Sequence, residues 1–171
     1  MKAGLGKTVN LRDIILNVQD LPDLEDELEA FGRRLYSDLF FAGERPGIHL
    51  LHDGEKVRFD RRRFTHAFSK ADNWKTTKEK TGLDKRRYLR ANWILPMIQG
   101  QVSGSECWLI TEFAKRKRIY VCFKQGYVVW LESNNKGKWS FSSAYTASAE
   151  QIRGYIRGGE KIASFGKKKS P

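Results

Sequence analysis

The period of the apolar positions changes along the chain, and the changes divide it into helical and extended parts. In LPDLEDELEAFGRRLYSDLFFAG, Leu24, Leu28, Phe31, Leu35 and Leu39 recur at helical spacing, which predicts an amphipathic helix starting near Pro22 and stopping at Gly43. A shorter periodic piece, Leu11 to Val18, precedes it. From residue 46 the pattern shortens: GIHLLHDG and EKVRFD read as a hairpin turning at Asp53-Gly54, a dipeptide suited to the positive φ of a tight turn. RRRFTHAF then opens a short helix with Asp60 as N-cap and Phe64, Ala67, Phe68 and Ala71 as its apolar stripe. ADNWKTTKEKTGLDK has no apolar period and reads as a mobile basic loop. DKRRYLRANWILPMIQG reads as a second helix, ended or kinked at Pro96.

The last third is extended. SECWLITEF, RIYVCFKQGYVVWLE and KWSFSSAYT give four runs rich in β-branched and aromatic residues, with turns at Ala114 to Lys117, Gln125-Gly126 and Ser133 to Gly137. This is the pattern of an antiparallel meander. SAEQIRGYIRGG adds a helix in which Ser148 and Gln151 form a capping box. The expected fold is therefore α+β over residues 1–165, with N-terminal helices packed on a twisted, mainly antiparallel sheet of four to six strands. An acidic helical region occupies 1–42, and a basic tail occupies 166–171.

Charge narrows the choice of partner. Thirty-two Lys and Arg against twenty Asp and Glu leave a formal charge of +12 on 171 residues, which makes a polyanion the natural partner. The acidity is concentrated at Asp20, Asp23, Glu25, Asp26, Glu27 and Glu29, so a helix there could fold over a basic remainder and mask it. No run reaches the 18 or so apolar residues that span a bilayer, and MKAGLGKTVNLRD lacks a signal-peptide core. A cytoplasmic protein without membrane contact is expected. Cys107 and Cys122 then read as reduced, part-buried residues; no CxxC pair accompanies them, and no metal or cofactor is expected. GLGKT imitates a phosphate-binding loop, but Met1 stands where the first glycine is required.

Three places carry candidate chemistry. His66 lies off the apolar stripe, with Arg62, Arg63, Ser69 and Lys70 as its helical neighbours; such cations favour a neutral, proton-accepting imidazole. The plainer reading is an exposed surface histidine. In KRKRIYVCFKQGYVVW, Ile119, Val121 and Phe123 take one strand face and Arg118, Tyr120, Cys122 and Lys124 the other. One face would be core and the other basic, either merely solvated or fit to hold a sugar-phosphate chain and stack a base. In WSFSSAYT, Trp139, Phe141, Ser143 and Tyr145 share a face, and a strand-end hydroxyl can donate to a phosphate oxygen. His49 and His52, three apart on a strand and its turn, diverge and make no metal pair, though one could face the cleft of His66.

The order of helix, strand, RRRFTHAF, basic loop, helix, RKRIYVCFKQGYVVWLE and KWSFSSAYT resembles the phage-encoded nucleases of the barnase, EndoU, colicin and RelE superfamily, from Gly47 to Thr146. That resemblance implies a small core of helices on a twisted antiparallel sheet of about four strands. It also implies metal-independent endoribonuclease activity through attack of the RNA 2′-hydroxyl. By the same resemblance His66 is the general acid or base, Arg118 the transition-state cation, and Ser143 with Tyr145 the late-strand hydroxyl pair. RNA, with DNA left open, would be held by Arg61, Arg62, Arg63, Lys115, Arg116, Lys117, Tyr120 and Lys124. The chain departs from the family in two ways: His66 has no glutamate partner of the barnase kind, and the acidic N-terminal region has no counterpart. The second departure could be an inhibitory or partner-binding addition, and an inhibitory or immunity protein is a candidate partner. The alternative is a non-catalytic accessory factor on the same fold that binds nucleic acid or protein, since fold alone does not settle function.

Overall fold

The computed structural model describes residues 7–69 and 83–166. The glycines of GLGKT, most of the basic loop read at 71–85, and the tail beyond Gly166 lie outside the described residues.

Helix α1 spans Glu25–Phe40, with Glu25, Asp26 and Glu27 in its first turn, where the helix end is positive. Leu24, expected on the apolar stripe, is the N-cap and stands 65% exposed. The buried line is Leu28, Gly32, Tyr36 and Phe40, flanked by Phe31, Leu35 and Leu39. Strands β1 (Ile48–Leu50) and β2 (Lys56–Arg58) form the expected hairpin, and Gly54 takes φ 83° in its turn. Asp60 caps a 3-10 turn, Arg61–Arg63, by accepting the Arg62 amide at 2.9 Å, and that turn runs into α2, Phe64–Phe68.

The second helix expected in one piece is divided into α3 (Lys85–Leu89), a 3-10 turn (Ala91–Trp93) and α4 (Ile94–Ile98). Pro96 sits in the first turn of α4, where its missing N–H costs nothing, while its ring would collide with the Asn92 carbonyl of an unbroken helix. Among the described residues no helix is long and apolar enough to cross a membrane.

The meander is formed by β3 (Glu106–Glu112), β4 (Lys115–Cys122), β5 (Tyr127–Ser133) and β6 (Trp139–Thr146). After α5 (Ala149–Ile156), β7 (Glu160–Ser164) returns to the sheet edge. The capping box at Ser148 and Gln151 is present, with both hydrogen bonds made. The strand order is β1-β2-β6-β5-β4-β3-β7, so the curled sheet has seven strands where four to six were expected. The sheet is mixed, because β2 runs parallel to β6 through Val57↔Trp139 and Arg58↔Ser140. β7 escaped the pattern because EKIAS is mostly exposed and carries little apolar period.

Both faces of the central strands are buried. One face packs under α1 to α4, with Tyr120, Cys122, Tyr127, Val129, Leu131 and Phe141 in one cluster with Tyr36, Phe40, Phe68 and Tyr88. The opposite face puts Ile119, Val121 and Val128 against Ile152 of α5. This corrects the expected division of β4 into a core face and an open basic face. Alternation of period two distinguishes two faces; it does not say how many helices arrive to cover them. Phe40, Phe59 and Phe141 stack in series, with centroids 4.1 and 4.8 Å apart, and tie α1 and the first hairpin to β6.

Gly32 is buried mid-helix because the Tyr88 ring lies where a side chain would be: a Cβ there would stand 1.8 Å from Tyr88 Cε1. Gly32→Ala gains helix propensity yet must displace a fully buried ring. We expect it to destabilise by about 1–3 kcal/mol or more through overpacking, seen as a fall in Tm of roughly 2–4 °C per kcal/mol. Deleting residues 1–42 removes the buried Leu28, Tyr36 and Phe40, so the truncated chain should lose its cooperative thermal transition in calorimetry. A cooperative truncated chain with raised affinity for nucleic acid would mean instead that the acidic helix is a detachable mask.

Candidate nucleic-acid interface

Three turns meet at one end of the sheet. The two-residue loop Phe113-Ala114 joins Glu112 to Lys115. Lys117 pairs with Glu132, so the β3–β4 turn lies beside the β5–β6 turn that follows Ser133. β6 begins at Trp139 opposite Val57, which brings the β1–β2 turn to the same end. Lys56, Lys115, Arg116, Lys136 and Lys138 are all exposed here.

Beneath this cationic rim lies a clamp. Arg118 is only 5% exposed, and its Nη2 donates to Asp53 Oδ2 and Glu55 Oε2, both at 2.8 Å. Trp139 Nε1 donates to the same Glu55 oxygen at 2.6 Å. The Arg118 guanidinium lies 4.7 Å from the centroid of the Trp139 ring, and Arg116 lies 5.7 Å from it. Arg118 Nε and Nη1 make no hydrogen bond, and the aromatic face is the compensation they receive. Burial works against the Arg118 charge, but the hydrogen bond and charge of Asp53 outweigh it and raise the pKa. For Asp53, burial pushes upward, while the Arg118 and Glu55-amide hydrogen bonds hold it below its ordinary value.

The turn also carries His52, whose Nδ1 is 2.8 Å from the Tyr120 hydroxyl and whose ring packs edge-on to Tyr120 and Phe165. Burial lowers the His52 pKa; Arg118 adds to the effect, and Asp53 and Glu55 oppose it. His49 turns elsewhere, with Nε2 2.8 Å from the Phe40 carbonyl oxygen. Cys107 pairs with Tyr120 across the sheet, and burial pushes its thiol up to about 12, which makes it unreactive. Cys107 and Cys122 are both free and buried. Among the described residues no group of His, Cys, Asp and Glu is arranged to hold a metal ion.

The residues singled out from the sequence are distributed over this frame. His66 is exposed on α2, off the buried stripe of Phe64, Ala67 and Phe68. Arg118 and Tyr145 lie on opposite faces of the sheet: Arg118 alternates with Ile119 and Val121, whereas Tyr145 packs with Trp130 and Tyr155 in their cluster. Ser143 joins Tyr145 and parts from Trp139 and Phe141, because a bulge at Ser142 reverses the alternation expected along β6. A single bulge thus moves the hydroxyl pair away from Arg118. The Tyr145 hydroxyl accepts from Trp130 Nε1 at 3.0 Å, and burial pushes its pKa up, so it is held as a neutral phenol.

The expected binding residues also separate. Tyr120 is fully buried and offers no face to a base. Lys124 lies at the far end of β4, beside Thr8 to Leu11, away from Lys115 and Arg116. Arg61 lies over the Phe41 ring at 4.2 Å, and Arg62 is held by Asp60 at 2.8 Å. Arg63 pairs with Glu132 at 3.6 Å, and Lys117, opposite Glu132 in the ladder, pairs with Glu112 at 2.8 Å.

Glu55, Lys56, Phe113, Lys136 and Lys138 carry no role in the sequence reading, where Asp53 is only a turn residue and Trp139 only a member of a strand face. The turn expected at Ala114 to Lys117 hid Phe113, because KRK reads as polar loop. Carrying the alternation of Ile119 and Val121 back through Lys117 to Lys115 would have moved the turn to Phe113-Ala114.

Compared with known protein families, curated proteins and solved structures, the chain matches none.

Acid should weaken the fold in two steps. Unfolded, His52 takes a proton near its ordinary pKa of 6.5; folded, it resists. Stability therefore falls as pH drops below 6.5 and levels off once the folded ring is also protonated. Asp53, lowered from 3.8, and Asp60, taken down to about 2 chiefly by its Arg62 hydrogen bond, lose their contributions as pH falls below 3.8. Tm measured from about pH 7 to about pH 4 should show the first step in the native chain and not in His52→Gln.

Proposed function

We propose that this protein binds nucleic acid through the three-turn end of its sheet. The supporting observation is the convergence of Lys56, Lys115, Arg116, Lys136 and Lys138 on adjacent turns of a chain carrying a formal charge of +12. Arg118 supports the rim from below and contributes no free charge, since Asp53 and Glu55 already engage it. Binding carried by exposed side chains of this kind is mainly electrostatic and follows counterion release.

An endoribonuclease activity is the second reading. It draws support from His66, exposed on a helix whose preceding turn is Arg61–Arg63. An imidazole in its proton-accepting form has the chemistry to take a proton from a 2′-hydroxyl.

Binding to a single-stranded oligonucleotide should weaken steeply with salt. If all five rim cations contact phosphates, log affinity against log salt should slope near −3.5, at about −0.7 per contact. A flat profile would remove the nucleic-acid reading. The same protein incubated with RNA in excess chelator separates the two readings. Intact RNA with retained binding favours the binding protein. Cleavage that falls about 10²- to 10⁴-fold in His66→Ala favours the enzyme.

A further inference from the structure

The tip of the β3–β4 hairpin is built against its own backbone preference. Phe113 and Ala114 are the two loop residues between the paired Glu112 and Lys115, and both have positive φ, 47° and 62°. A two-residue hairpin of this kind favours Asn-Gly, because side chains with a Cβ are disfavoured in the left-handed region, bulky ones most of all. At the same position Phe113 is 95% exposed, more than any other large apolar side chain among the described residues. A single exposed apolar residue is ordinary. An exposed aromatic held in a strained turn, on a rim of cations, is not. Strain of this kind persists where a site uses it.

Chemistry selects the occupant. Phe113 is followed by Lys115, Arg116 and Lys117, and it lies beside the turn carrying Lys136 and Lys138. Trp139, a second aromatic at this end among the described residues, is buried beneath Arg116 and Arg118. A ring projecting from a cationic rim matches the two requirements of single-strand recognition, an electrostatic track for phosphates and an aromatic plane for bases. We infer that Phe113 is a stacking finger for an unpaired base of single-stranded nucleic acid, with Lys115 and Arg116 holding the adjoining phosphates. This rests on the nucleic-acid reading above and adds to it a contact to the bases.

The test uses the full chain and two fluorescent DNA probes of about 12 residues, an oligothymidylate and an abasic strand with the same phosphates. DNA keeps the measurement independent of any cleavage of RNA. Native protein should prefer the thymidylate. Phe113→Ala should weaken thymidylate binding by about five- to a hundredfold, as expected for one base–aromatic stack, and leave abasic binding unchanged. The double variant Phe113→Asn, Ala114→Gly should lose the same preference while its Tm rises by about 3 °C, since it supplies the residues that the turn favours. Equal binding of both probes by native and Phe113→Ala protein would overturn the stacking finger and leave the electrostatic reading standing. If native protein binds neither probe, the nucleic-acid reading fails and the finger fails with it.

Discussion

Arg118 is the charge around which the sheet end is organised. A guanidinium this deeply buried is tolerated only when paired, because an uncompensated charge in a dry interior costs several kcal/mol. Asp53 and Glu55 supply the pairing from the first hairpin, and Trp139 supplies both a ring face and an N–H to Glu55. The clamp therefore joins β4 and β6 to a turn far away in sequence, and it fixes the side on which the first hairpin meets the meander. The parallel pairing of β2 with β6 agrees with it, since Val57 stands opposite Trp139. Net burial of an ion pair is weak as a source of stability. It is stronger as a selector of register, because any slipped hairpin leaves Arg118 without its partners.

The second organising constraint is coverage of both sheet faces. Helices α1 to α4 close one face and α5 the other, so Ile119 to Cys122 are buried in succession. The central strands are covered on both faces, and the exposed Lys115, Arg116 and Lys124 stand at the ends of β4. The cationic rim lies at one end. Lys124 lies at the other, a β4 length away.

The same constraint bears on the resemblance to the barnase, EndoU, colicin and RelE nucleases, which rests on motif order. The meander and the capped helix before it have the expected order. Around that meander stand an antiparallel edge hairpin, joined to β6 in parallel through β2, and a C-terminal strand, and the bulge at Ser142 turns Ser143 and Tyr145 away from Arg118. A set of residues chosen by motif order thus lies on two faces of one sheet, with His66 on a helix beside it. For this reason binding is the leading reading, and cleavage through His66 is the narrower second one.

What the sequence determined by itself were the local elements: the Asp53-Gly54 turn, the Asp60 and Ser148 caps, α1 and the four-strand meander. Each follows from neighbours within a few residues, through φ preference, an orphan amide or a hydrophobic period. It also determined the formal charge of +12, a sum over residues that folding does not rearrange. Tertiary structure alone decided that both faces of β4 became core, because alternation marks two faces without saying how many helices arrive to cover them. It decided the phase of β6, where one inserted residue reverses every later side chain. It also turned Arg118 from a candidate phosphate ligand into a buried, neutralised clamp, because the two carboxylates that meet it lie more than sixty residues away in the chain and come near only when the sheet closes.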